Sequence, residues 1–386
     1  MLFPAIHPRN PNDILVACDM TGAYLSHDGG SSWRMFNLGG VVKSFVFDPN
    51  DAMTYYARTA GEVGASGPAL WRSIDAGDTW RLIYPDAATV TGVFQNDDHA
   101  MNIIASSAAL PGSIEALAVE PGDAHLLYAV MQQGKASRLF VSQDWGKSWQ
   151  QTAELPGGGR SIYIDPNSPR QDRTLYVIGD NSVAVRKSGA WRQGPAPPGV
   201  RSFVDSAIGF SSGNAVIYAI SRTDAFVSLD GGASWQAVQL PGTFAGLAAI
   251  AASSQHGEVA YLSYSRLVTG LIAQITRRFG AEGLDAAFGV AKTADAGRTW
   301  ALVWKDTHEK AAANVHDVWL TPRFGPGWGG APVNLAVAPG DPNFCIGTDS
   351  GRTMRTRDGG QTWEGVYSKR VDDGSFTSTG LDVTTN

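Results

Sequence analysis

One octapeptide recurs along the chain, and no other feature restricts the fold as tightly. It stands at 26–33 (SHDGGSSW), 73–80 (SIDAGDTW), 142–149 (SQDWGKSW), 228–235 (SLDGGASW), 293–300 (TADAGRTW) and 356–363 (TRDGGQTW). The shared pattern is a hydroxyl residue, Asp two places on, then Gly, a second hydroxyl residue and Trp. Between Trp149 and Trp235 the gap is about twice the shortest spacing, and a degenerate copy, VRKSGAW, ends midway at Trp191. The chain therefore holds seven units.

Each octapeptide follows a second shared signature, an apolar run, a turn containing Pro or Ser, and another apolar run. AIHPRNPNDILVAC, SFVFDPNDAMTYYA, ALAVEPGDAHLLYAV, SIYIDPNSPRQDRTLYVI and LAVAPGDPNFCIG are examples. Each unit reads as four strands, A to D, with the octapeptide as the hairpin between C and D. The Asp carboxylate and the hydroxyls accept turn N–H bonds, the Gly supplies a positive φ, and the Trp fills an apolar gap between units. The predicted fold is all-β: a seven-bladed β-propeller of four-stranded antiparallel blades, spanning 1–368.

Composition agrees. Of 386 residues 43% are hydrophobic and 17% charged, so the chain can bury a large core, and 45 Gly and 20 Pro favour short strands joined by turns. A net charge of -6 excludes a polyanion such as nucleic acid as partner. No apolar run has the length of a membrane span, so no membrane partner is expected. Cys18 and Cys345 match no metal-ligand spacing and are too few for a disulfide framework. The first residues, MLFPAIHPRNP, lack the basic start and apolar core of an export signal. The expected location is the cytoplasm, or the cell exterior or periplasm if a signal has been removed.

The octapeptides resemble the Asp-box (BNR) repeats of sialidases, of glycoside hydrolase family 74 xyloglucanases and of several propellers without enzymatic activity. That resemblance covers the repeats along the whole chain and speaks for fold more than for function. One short motif speaks to chemistry. CDMTGAY (18–24) is similar to the T-D-I-G-G-A-Y stretch of family 74, with Asp19, Gly22, Ala23 and Tyr24 on matching positions and Cys18, Met20 and Thr21 departing. The resemblance implies that Asp19 is a catalytic base and Tyr24 a substrate-binding residue. It also implies a general acid from a second propeller of the same protein, and the tail 369–386 reads as the start of such a domain. No cofactor or metal is implied.

With the octapeptides on one face of the disc, the B–C turns and D–A connections lie on the other, and the long insertions all map to this second face. They are 85–113, 264–288, where GLIAQITRRFGAEG reads as a short helix, and 305–332. Loops of that length in a regular repeat build binding surfaces. Asp19 lies nine residues before Asp28, and Asp349 lies nine before Asp358, so both belong to B–C turns, in blades that close the ring as neighbours. Asp180 and Asp224 occupy similar turns in blades 4 and 5, and Asp is a favoured turn residue in its own right. Glycoside hydrolysis needs two carboxyls, about 5–5.5 Å apart for retention or about 6.5–9.5 Å for inversion. Asp19 with Asp349, or with Asp97 or Asp98 of the first insertion, can supply them. Trp319 and Trp328 lie in the third insertion beside Arg323 and offer stacking platforms for a sugar. His308, His316 and Asp317 match no strong metal signature.

The leading function is hydrolysis of a β-glucan of the xyloglucan type, with a polysaccharide or oligosaccharide as partner. A non-catalytic propeller that binds protein or glycan is the second class. A polysaccharide lyase using His99 or His316 is a third, and a sialidase is disfavoured because no [F/Y]-R-I-P segment precedes the first octapeptide.

Overall fold

In the computed structural model the described residues are 2–18, 22–60, 69–94, 102–105, 112–155, 157–211, 213–241, 246–264, 289–304, 314–316, 332–348, 353–366, 368–370, 376–378 and 381–383. They form a seven-bladed β-propeller. Blades 1 to 7 occupy 2–36, 41–84, 113–155, 161–193, 205–237, 247–304 and 334–365, each a four-stranded antiparallel meander in chain order. Strand A lines the central bore and strand D the rim. Two blades carry an added outer strand in parallel: Leu381–Val383 beside Trp33–Phe36 of blade 1, and Val315–His316 beside Trp363–Gly365 of blade 7. A hairpin, Val90–Phe94 with Asn102–Ala105, follows blade 2. The segment expected as a short helix, 270–283, lies outside the described residues.

The B strands show why the blades need one another. Ile14–Ala17, Leu175–Ile178, Ala260–Tyr264 and Cys345–Thr348 are buried at every position. A strand buried on both faces reads as a continuous apolar run rather than an alternating one. The D strands are wetter, and both residues of Gln236–Ala237 are exposed. Apolar packing accordingly resolves into seven clusters among the described residues, one at each joint between adjacent blades. Each cluster holds one of the seven repeat tryptophans, which packs against the preceding blade. Trp363, fully buried, lies 5.3 Å from Trp304 of blade 6, measured between ring centroids.

The six octapeptides form C–D hairpins with a common bonding pattern. The first hydroxyl donates to the Asp at 2.7–2.9 Å. That same hydroxyl accepts the Gly amide at 2.7–2.9 Å. The second hydroxyl closes the ring on the other Asp oxygen at 2.6 Å. The Gly lies against the preceding blade: at Gly360 a Cβ would stand 2.5 Å from Val303 Cβ, on a backbone with φ of +93°. The degenerate copy differs. Ser188 and Gly189, with φ of 51° and 73°, make a two-residue turn between Lys187 and Ala190, the mirror-type turn that suits strand twist.

Blades 7 and 1 meet through side chains, and Leu381–Val383, which follows blade 7 in the chain, pairs with strand D of blade 1. Ile6, Ile14, Val16, Tyr24 and Trp33 of blade 1 meet Ala338, Phe344, Ile346 and Val366 from the blade 7 side. Arg355 and Arg357 of blade 7 both donate to the Gly29 carbonyl of blade 1. Buried tyrosines stitch other joints: Tyr55 donates to Asp13 at 2.6 Å, Tyr218 to the Gly257 carbonyl at 2.8 Å and Tyr261 to the Pro342 carbonyl at 2.8 Å.

Burial ranks the repeat tryptophans. Trp363→Ala is expected to lower unfolding free energy by about 3–5 kcal/mol, measured by denaturant titration. Trp191→Ala, at the half-exposed degenerate copy, is expected to cost less than half as much; equal costs would contradict the joint clusters as the source of stability.

Candidate functional site

The meander puts A–B turns and octapeptide hairpins on one face and B–C turns and D–A connections on the other. On the hairpin face the repeated aspartates have their bonding capacity filled by their own turns. Burial raises the Asp28, Asp75, Asp144, Asp230 and Asp358 carboxyls, but hydroxyl and amide bonds outweigh it and hold them below the usual range. For Asp295 the Thr299 hydroxyl is the leading cause of the same lowering. These groups are committed to structure. Among the described residues no cluster of His, Cys, Asp or Glu could hold a metal ion.

On the opposite face, Asp19 and Asp349 lie outside the described residues, as do Asp97, Asp98, Trp319, Arg323 and Trp328. His99, His308 and Asp317 lie outside them too. Their flanks are defined. Strand B of blade 1 ends at Ala17 and strand C begins at Ala23; in blade 7 the corresponding ends are Thr348 and Thr353. Both pairs lie on this face, in adjacent blades. The Cys18 amide donates to the Gly22 carbonyl at 2.8 Å. Gly22 has a φ of +94°, and a Cβ there would overlap the Phe36 carbonyl and the Asn37 side chain, so the turn that carries Asp19 in the sequence requires glycine at this position. Tyr24 is buried in strand C, within the cluster between blades 1 and 7.

The competing turn aspartates have local partners. Asp180 accepts from Arg160 at 2.7 Å, and Arg160 also donates to the Phe203 carbonyl at 3.0 Å. Asp224 accepts from Thr223 at 2.6 Å and from Ser221 at 3.3 Å within its own turn. Both read as turn-stabilising groups.

The bore supplies a carboxylate that sequence reasoning passed over. A cavity of about 540 Å³ is lined by strand A of six blades, with Phe3, Phe45 and Tyr163 among the lining residues and Lys43, Asp205 and Asn334 as polar groups. Val204 and Val333, 40% and 42% exposed, lie where strand A begins in blades 5 and 7, which opens the cavity towards the B–C face. Val333 also donates its amide to the Thr348 carbonyl at 2.7 Å, so the mouth adjoins the end of strand B in blade 7. Asp205 accepts the Ser206 amide at 2.8 Å and the Ile250 amide at 2.9 Å. Burial between the inner strands pushes its carboxyl up to about 6, and the two amide bonds offset this only in part. The available signal was a charge inside an inner strand: Asp in DSAIGFS, and Lys43 in VVKSFVF.

No protein-family model matches the chain. The xyloglucanase Xgh74A of Acetivibrio thermocellus is 30% identical over 212 residues, which make up 53% of this chain and 20% of that protein. The match thus spans a fifth of that relative's length. Among solved structures, the GH74 xyloglucanase of Xanthomonas campestris aligns with a TM-score of 0.61 at 18% identity, over 94% of this chain and 54% of that one. The GH74 enzyme of Niastella koreensis aligns at 0.63 with 15% identity, over 93% and 53%. These structural likenesses concern the fold. Among the described residues no helix is long and apolar enough to cross a membrane.

A carboxyl whose pKa is higher in the folded than in the unfolded chain binds its proton better when folded, so its contribution to stability falls as pH rises between the two values. For Asp205 that window runs from about pH 4, the unfolded value, to about 6. The melting temperature of the wild type relative to Asp205→Asn is expected to decline across this window and to stay level above pH 7. A flat difference throughout would remove the titration from Asp205.

Proposed function

We propose that the chain is a carbohydrate-active propeller that takes part in cleaving a β-glucan of the xyloglucan type, working on the face that carries the B–C turns. The observation that carries the reading is the 30% identity over 212 residues with a xyloglucanase. The glycine-dependent turn at Gly22, in the stretch that holds Asp19, supports it. So do the six octapeptide hairpins, read as Asp-box repeats.

In this proposal Asp19 acts as general base and draws a proton from the attacking water. The second carboxyl protonates the departing glycosidic oxygen, and it comes from Asp349, from Asp97 or Asp98, or from a second propeller of the same protein. Trp319 and Trp328 stack against sugar rings, Arg323 shapes the subsite, and Tyr24 supports it from the joint between blades 1 and 7. The bound polysaccharide lies across the mouth shared by blades 7 and 1. Such a substrate and such a reaction fit a protein that works outside the cytoplasm.

The test is direct. Purified protein is incubated with tamarind xyloglucan, mixed-linkage β-glucan and carboxymethylcellulose, and reducing ends are measured beside binding by affinity electrophoresis. Xyloglucan is expected to be bound and cleaved, and Asp19→Ala is expected to lose about 10²–10⁴-fold in rate while still binding. Unchanged activity in the variant removes Asp19 from the mechanism. Binding without cleavage by the wild type favours the glycan-binding scaffold over the hydrolase, and absence of both ends the carbohydrate reading.

A further inference from the structure

Two opposite charges line the bore without meeting each other. Lys43 is the third residue of strand A in blade 2 (Val41–Phe47), and Asp205 is the first of strand A in blade 5 (Asp205–Ser211). Both line the same cavity of about 540 Å³. Blades 2 and 5 stand on opposite sides of a ring of seven, so the two groups project from facing walls rather than from neighbouring ones. Among the described residues neither group makes an ion pair.

A charge held in such a cavity gains from a partner of opposite sign, because solvation lost on burial is replaced. Asp205 has one amide on each oxygen, from Ser206 and Ile250. Each carboxylate oxygen can accept twice, so acceptor capacity is left for a donor in the bore. Lys43 brings three donors and no acceptor. Between them the lining includes Ser44, Ser206, Ser254 and Asn334, while Phe45, Ile208 and Ile250 are buried in the joints between blades. A neutral sugar leaves both charges uncompensated, and a simple amine or acid satisfies one of them. A short chain with an ammonium at one end and a carboxylate at the other satisfies both.

We propose that the bore is a binding site for a small linear zwitterion of the amino-acid type, its ammonium on Asp205 and its carboxylate on Lys43. The site is separate from the proposed glycan-binding rim and does not rest on that reading.

The probes are glycine, β-alanine, 4-aminobutanoate and 6-aminohexanoate, which lengthen the span between the charges stepwise. Butylamine, butanoate and xylose serve as comparisons, with thermal shift and isothermal calorimetry on the whole chain as readouts. At least one zwitterion is expected to bind saturably and raise the melting temperature, with butylamine and butanoate weaker by about tenfold or more. Lys43→Met is expected to weaken the zwitterion by a similar factor and leave butylamine binding unchanged. Asp205→Asn is expected to weaken the zwitterion and leave butanoate unchanged, so each variant carries its own check of folding. Failure of all four zwitterions to bind overturns the proposal. So does equal affinity for the one-charge compounds, or binding of xylose in their place.

Discussion

A four-stranded blade has two apolar faces and no means of covering either alone. That constraint governs the whole molecule. Strand B is buried at every position in several blades, and the core divides into seven clusters that each belong to a joint rather than to a blade. Stability is therefore a property of the ring, and the repeat tryptophan, glycine and aspartate each act at or beside a joint. The tryptophan fills the joint, the glycine lets the hairpin approach the preceding blade, and the aspartate fixes the hairpin that presents both.

The same geometry separates structural from available carboxylates. On the hairpin face six aspartates are held by hydroxyls and amides of their own turns, and their ionised form is favoured because it is already solvated by protein donors. In the bore the reverse holds. Asp205 has two amide donors but is enclosed by inner strands, and desolvation dominates. Two populations of aspartate, alike in sequence, are thus sorted by where the ring places them.

The repeat period was enough to read seven blades, their strand order and the position of the hairpins, because each depends on contacts within some forty residues. The degenerate fourth copy was readable as a hairpin, though not as a two-residue turn; that came from Ser188 and Gly189 taking positive φ, where the other copies spread six or seven residues. Asp205 and Lys43 were passed over for a different reason. Each looks like an ordinary polar residue in an alternating strand, and only ring closure turns that side of strand A into a cavity wall. Tyr24 shows the converse: its place in a short motif drew attention to the rim, whereas burial in the cluster between blades 1 and 7 depends on a partner more than 300 residues away, at Phe344 and Ile346.

The joint between blades 7 and 1 uses the ingredients of the other six, an apolar cluster with one repeat tryptophan, and adds the strand Leu381–Val383 to the outer edge of blade 1. The apolar cluster alone thus does not single out that joint as the place where the polypeptide must be interrupted. A circularly permuted gene that opened between blades 3 and 4 would encode the same set of packed surfaces, and its product would close on the cluster around Trp191 instead.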